Sequence, residues 1–260
     1  MLATLAAVQL WITDGDPQAN RKRAGMLMQS AAGADLYLLP ELWTSGYVYD
    51  AWAALADSDA GATCEWMAEQ AAAHKAYVGG SLISRDDDGG LVNRFLLFGR
   101  DGGEVLRYDK CHLFPLMREP ELLTAGKGVP VVELEGLRVA PSICYDLRFP
   151  EMYRRVALRG IDLFLVPSEW PHPRQRAMSV LAEARAMENQ AFLLLANRCG
   201  PDAAGAVFCG HSGFFGPFGA EVTAGEEECV VTAGMDVELL GKARRALAVM
   251  DGRLAGIDFD

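Results

Sequence analysis

Cys144, Glu41 and Lys110 each stand at or just past the end of an expected strand. The runs before them are Leu137 to Ile143, Leu36 to Leu39, and the strand-like Glu104 to Tyr108. A thiol, a carboxylate and an ammonium form a workable set for acyl transfer. The thiol attacks a carbonyl carbon, and the carboxylate takes the thiol proton and later returns it to the leaving amine. The ammonium faces the oxyanion of the tetrahedral intermediate. A backbone N–H just after the nucleophile, that of Tyr145, is a second donor to the same oxygen. Water then hydrolyses the thioester. The reactants are a small amide and water, and the chemistry requires no metal and no organic cofactor.

Other cysteine chemistries fit less well. A phosphate-binding cysteine loop needs an arginine six residues after the cysteine, where this chain has Pro150. His112, His172 and His211 could pair with a thiol, but no local protease signature surrounds Cys144. Cys111-His112 and Cys209-Gly210-His211 lack the spacing of a zinc site. Ser142 lacks the flanking glycines of a hydrolase elbow. A buried structural cysteine is the plainer alternative.

The elements that must position these groups are two strand–helix–strand units. In one, Thr4 to Trp11 is a strand, Asp16-Pro17 caps and opens a helix to about Ala32, and Asp35 to Leu39 is a buried strand. In the other, the Leu137–Ile143 strand leads to Cys144, Pro150 opens a helix that Gly160 stops, and Ile161 to Val166 is a strand. The thiol therefore lies at a strand's carboxyl end, where sites form in open sheets, and near a helix amino end, whose dipole would favour the thiolate. The two units end alike. Gly33-Ala34-Asp35-Leu36-Tyr37-Leu38-Leu39-Pro40-Glu41-Leu42-Trp43 lies over Gly160-Ile161-Asp162-Leu163-Phe164-Leu165-Val166-Pro167-Ser168-Glu169-Trp170. Two related βαβ halves are expected, joined in a pseudo-symmetric sandwich with helices outside.

Between the halves a helix is expected from Ala62 to His74. Strands follow over Tyr77–Ser84, Leu91–Phe98 and Glu104–Tyr108, with turns at Asp86-Asp87-Asp88-Gly89-Gly90 and Asp101-Gly102-Gly103. The loop from Pro115 to Lys127 carries Glu119 and Glu121. A hairpin turns at Glu135-Gly136. Later come a helix over Gln175–Asn189, a strand over Ala191–Asn197, short strands from Phe208 to Val231, and a helix over Val237–Ala248. No linker interrupts residues 1–260, so a single domain is expected, with a tail from about residue 250 that lies loose or on a partner.

A hydrophobic content of 51% over 260 residues suits a sizeable α/β core. A net charge of −11 repels nucleic acid and anionic membrane surfaces. No apolar run is long enough to cross a bilayer. Met1 to Leu10 reads as a strand rather than a charged leader, so reduced thiols and a cytoplasmic location are expected.

Pro40-Glu41, Asp109-Lys110-Cys111-His112-Leu113-Phe114 and Cys144-Tyr145-Asp146-Leu147-Arg148-Phe149-Pro150 resemble the three blocks of the nitrilase, or carbon–nitrogen hydrolase, superfamily. The likeness runs from Thr4 to about Asp236. It implies a four-layer α-β-β-α sandwich and a homodimer or higher homo-oligomer. It also implies Glu41 as base, Lys110 as oxyanion donor and Cys144 as nucleophile. A second family glutamate in the loop after the lysine matches Glu119 best and Glu121 next. The cysteine block, Trp170-Pro171 and Arg185-Ala186-Met187-Glu188-Asn189-Gln190 look most like the omega-amidase branch, which releases ammonia from 2-oxoglutaramate or 2-oxosuccinamate. N-carbamoyl amines and nitriles are the alternative substrates within the superfamily, and a thiol sensor or binding protein with the same fold is the non-enzyme alternative. Ser168-Glu169 departs from the branch: an inward Glu169 would repel an acidic substrate. Arg148 either binds a substrate carboxylate or pairs with Asp146 or Glu151. Trp170 and Tyr47 either wall the pocket or pack elsewhere. Arg174 and Arg176 belong to solvent by default, with substrate contact the second reading, and Glu188 to a structural pair.

Overall fold

Two six-stranded sheets carry the chain, and each repeats one plan. In the first, β1 (Thr4–Gln9), β2 (Leu36–Leu38) and β3 (Tyr77–Arg85) run parallel, and β4 (Leu91–Phe98) and β5 (Glu104–Asp109) continue antiparallel. In the second, β7 (Leu137–Pro141), β8 (Leu163–Ser168) and β9 (Phe192–Asn197) run parallel, and β12 (Gly213–Gly216) and β13 (Gly219–Thr223) continue antiparallel. Each plan is completed by one antiparallel strand on its first member: β14 (Cys229–Gly234) on β1 and β6 (Val132–Leu134) on β7. The matched halves expected from the recurring Gly-to-Trp segment are thus present strand for strand. A small ribbon pairs β10 (Cys199–Pro201) with β11 (Val207–Cys209). The structure is a computed structural model that describes residues 2–252; the tail beyond lies outside the described residues.

Alternation along the strands builds the layers. Leu5, Ala7, Leu36 and Leu38 join the core shared with Val139, Leu163 and Leu165 of the second sheet. Their neighbours Ala6, Val8, Tyr37 and Leu39 join a separate core with Ala24, Met28, Met67 and Ala71. A period of two therefore sends one set of side chains between the sheets and the other under the helices. Those helices are α1 (Pro17–Ser30) and α3 (Ala60–His74), and α5 (Pro150–Ala157) and α6 (Gln175–Asn189) cover the second sheet. The result is an α-β-β-α sandwich. Asp16 accepts from the Ala19 N–H at 3.0 Å with Pro17 in the first turn, a cap worth about 1 kcal/mol.

Four elements depart from expectation. A helix α2 (Trp52–Ser58) precedes α3, and a one-turn helix α4 (Glu119–Leu122) forms inside the Pro115–Lys127 loop. The strand before the cysteine stops at Pro141, and Cys144 opens a 3₁₀ turn over Cys144–Arg148. The C-terminal helix α7 spans Val237–Ala246. Among the described residues no helix is long and apolar enough to cross a membrane.

Candidate active site

Glu41 follows β2, Lys110 follows β5 and Cys144 follows β7, so all three come from the carboxyl ends of strands. Backbone detail aims each one. The Leu42 N–H donates to Ser81 Oγ at 3.0 Å and the Trp43 N–H to the Ser81 carbonyl at 3.1 Å, which ties the Glu41 turn to β3. Gly80 makes the close approach: a Cβ there would lie 2.9 Å from Leu39 Cβ and 3.0 Å from Trp43 Cδ1. Lys110 is fixed on both sides, its N–H donating to the Asn93 carbonyl and its carbonyl accepting from Gly126, each at 2.9 Å. Cys144 has a φ of +44°, in the left-handed region that residues with a side chain seldom adopt.

Asp146 holds that turn. Its buried carboxylate accepts from the Ile143 N–H at 2.8 Å, the Tyr108 hydroxyl at 2.6 Å and the His112 N–H at 3.0 Å. The cysteine turn is thereby pinned to the strand end that delivers Lys110. From below, Arg185 Nε donates to the Leu147 carbonyl at 3.1 Å, and Glu188 holds Arg185 at 2.8 Å. Glu188 is the structural partner expected of it.

The ionisable groups meet with none of their side chains exposed. Lys110 Nζ donates to Glu41 Oε1 and to Glu119 Oε1, both at 2.8 Å. The Asn93 amide donates to Glu41 Oε1 at 2.8 Å, and the Glu169 N–H to Glu41 Oε2 at 3.1 Å. Glu119 accepts from the Tyr47 hydroxyl at 2.8 Å and from the Phe114 N–H at 2.6 Å. The Cys144 thiol lies close enough to Glu41 and Lys110 for both charges to act on it. Sequence reasoning did not find Asn93, Asp146 or Arg198. An asparagine inside the apolar run of β4 was the available signal for the first.

Burial raises the Glu41 carboxyl above its ordinary value; Lys110 opposes this and Glu119 adds to it. Burial acts to lower the Lys110 ammonium, but the Glu119 and Glu41 carboxylates outweigh it and raise the pKa, so the group stays charged. Burial, then the Glu41 charge, pushes the Cys144 thiol well above the ordinary range, with Lys110 only partly opposing. The helix amino end expected to favour the thiolate carries roughly half a unit charge, and burial beside a carboxylate works against it. The resting sulfur keeps its proton, and a base must remove it.

Beside the sulfur lies a narrow cleft lined by Tyr145, Arg148, Glu169, Trp170, Phe114 and Arg174. Arg148 stacks its guanidinium 4.6 Å from the Trp170 ring, while Asp146 is occupied by the donors above, so the expected pairing with Asp146 is not formed. Arg174 lies 5.5 Å over Phe114 and faces the cleft rather than bulk solvent alone, whereas Arg176 is exposed. Trp170 walls the cleft. Tyr47 stands behind it on Glu119, against Trp52. Glu121 is exposed and pairs with Arg118 at 2.9 Å, away from Lys110. Glu169 does turn inward, but Arg198 Nη1 donates to its Oε2 at 2.9 Å, so its charge meets a buried counter-charge.

A family model described as carbon-nitrogen hydrolase matches residues 4–245. A 2-oxoglutaramate amidase of Bacillus subtilis is 33% identical, over 95% of this chain and 96% of its own. An omega-amidase of Yersinia enterocolitica is 37% identical, over 92% of this chain and 89% of its own. Among solved structures, a CN-hydrolase superfamily protein from Xanthomonas campestris with an arsenic adduct in its active site superposes with a TM-score of 0.91 at 34% identity, covering 98% of this chain and 99% of that one. A Nesterenkonia amidase of the nitrilase superfamily gives 0.83 at 29% identity, covering 94% and 95%. With its blocks brought together around one sulfur and its length matched almost throughout, the chain belongs to the carbon–nitrogen hydrolase family.

Proposed function

We propose that this hydrolase of linear amides is an omega-amidase, acting on the terminal amide of 2-oxoglutaramate or 2-oxosuccinamate through a cysteine thioester. The observation that carries the chemistry is a thiol beside a buried carboxylate that a buried ammonium also holds. Glu41 takes the Cys144 proton as sulfur attacks the amide carbon. The oxyanion is met by Lys110 Nζ and the Tyr145 N–H. Two of the three ammonium hydrogens are committed to Glu41 and Glu119, which leaves the third for the oxyanion. As the C–N bond breaks, Glu41 returns the proton to nitrogen and ammonia leaves. Water then attacks the thioester, gives its proton to Glu41, and the thiol is restored as the acid departs. Glu119 orients Lys110.

The substrate reading is supported by the names of the relatives and by two cations. Arg148 and Arg174 line the cleft, and neither has an ion pair among the described residues. A guanidinium there suits the acid end of a short oxo-acid amide. The inward Glu169 does not argue against this, since Arg198 answers its charge. The family resemblance supports a homodimer or higher oligomer of one domain, working in the cytoplasm.

A panel of omega-amides, N-carbamoyl amines and nitriles, read by ammonia release, tests the proposal. 2-Oxoglutaramate is expected to lead, and preference for an N-carbamoyl amine or a nitrile would overturn the substrate. Arg148→Met is expected to raise KM for 2-oxoglutaramate by about 10–100-fold, the scale of a lost hydrogen bond to a charged group, and to shift a neutral amide by less than about threefold. Equal effects on both would remove Arg148 from substrate binding.

The pH profile is a separate check. Glu41 must be ionised to accept the thiol proton, and its carboxyl sits above the ordinary value of 4.5. Activity is therefore lost as pH falls through the raised value. The acid limb of kcat/KM is expected above 4.5, and a limb at or below it would contradict Glu41 as base.

A further inference from the structure

The Glu169 side chain has a divided environment. Its Oε2 is held by Arg198, which is fully buried and anchored in turn by Asp14 at 2.8 Å and the Ile12 carbonyl at 3.1 Å. Gly46 leaves room for this support, since a Cβ there would lie 2.4 Å from Asp14 Oδ1 and 2.9 Å from Arg198 Nη1. Its Oε1 is equally buried and has no hydrogen-bond partner among the described residues. Glu169 lines the cleft next to Cys144, and its own N–H reaches Glu41. A buried acceptor held rigidly from behind and unmet in front is costly unless a ligand supplies a donor.

The reaction supplies one at the right moment. When the tetrahedral intermediate collapses, the nitrogen lone pair takes the proton from Glu41, so the two hydrogens already on nitrogen cannot be directed at that same group. They need acceptors elsewhere beside Glu41. We propose that Glu169 Oε1 accepts an N–H of the leaving nitrogen, and that this contact makes the cleft select primary amides over esters and nitriles, which carry no such hydrogen. The Arg198 guanidinium at Oε2 opposes the effect of burial and favours the carboxylate, which an N–H donor at Oε1 stabilises further. The inference rests on the thioester reading above and adds a specificity determinant to it.

The test compares kcat/KM, which reports acylation, for 2-oxoglutaramate and for the omega-methyl ester of the same acid, following ammonia and methanol. In Glu169→Gln the amide value is expected to fall about 30–100-fold, the range of a buried group left unmatched, while the ester value falls less than about threefold. Glu169→Asp keeps the counter-charge for Arg198 but withdraws Oε1 by one methylene, and is expected to shift the amide-to-ester ratio in the same direction. An unchanged ratio in both variants, whether activity is kept or lost, overturns the inference. Wild-type enzyme that forms neither product would instead overturn the thioester reading.

Discussion

Cys144→Ala is expected to lower ammonia release from 2-oxoglutaramate by at least about 10⁴-fold, the scale on which a hydrolase loses turnover without its nucleophile. The change removes one sulfur atom from a residue that is 6% exposed, and Asp146, Tyr108 and Arg185 hold the turn through its neighbours. The fold should therefore survive, and thermal melts are expected to stay within a few degrees of wild type. The variant should still bind the amide, because Arg148 and Arg174 remain. Ammonia release above about one-hundredth of wild type would mean that water is attacking the amide directly, and Cys144 would lose its role. Wild-type enzyme should in addition be labelled once by a thiol-directed acylating reagent at this residue, with loss of activity in step.

The frame behind that thiol is legible in the sequence because it depends on local pattern. Apolar runs stopped by Pro, Gly or a charge mark β2, β7 and β8, and the shared Gly-to-Trp segment announces the repeat. Glu41, Lys110 and Cys144 are picked out by one rule, that a polar residue at the carboxyl end of a strand is placed to face a site. Arg198 obeys the same rule just beyond β9, and Glu169 just beyond β8. Their importance was less visible because each looks like an ordinary surface charge until the partner is known. The partner of Arg198 is Asp14, far back along the chain, and only the packed sheets bring them together. The same holds for Asp146, whose donors come from β5 and the residues after it.

Helix α2 shows the converse. It has no side-chain cap at its start, and Gly, Tyr and Asp precede it. Its order comes from Trp52, fully buried with its indole N–H on the Gly46 carbonyl at 3.0 Å. A short helix held by tertiary packing leaves little local trace. The electrostatic setting of the thiol is legible only in part for a related reason. Position near a helix end can be read from sequence, but desolvation and a neighbouring carboxylate cannot, and here they are larger.

Lys110→Met is expected to damage both activity and stability, and the two losses have one origin. Methionine keeps the length of the side chain and removes the charge between two fully buried carboxylates. Without the oxyanion donor alone, turnover should fall about 10²–10³-fold, and misplacing Glu41 adds to that. Breaking a buried pair while leaving its partners in place costs about 3–5 kcal/mol. The carboxylates can reduce the loss only by taking up a proton. Burial and Glu119 already raise the Glu41 pKa with Lys110 present, so its removal raises the value further. A carboxyl with a folded pKa above its unfolded one binds extra protons in the folded state, so stability falls as pH rises through that window and recovers as pH drops toward 4.5. Urea unfolding is therefore expected to show a larger deficit for Lys110→Met at pH 8 than at pH 5, with the gap traced to Glu41 by its narrowing in the Lys110→Met, Glu41→Gln double variant. Wild-type stability at both pH values together with retained turnover would show that the buried ammonium neither balances these acids nor meets an oxyanion.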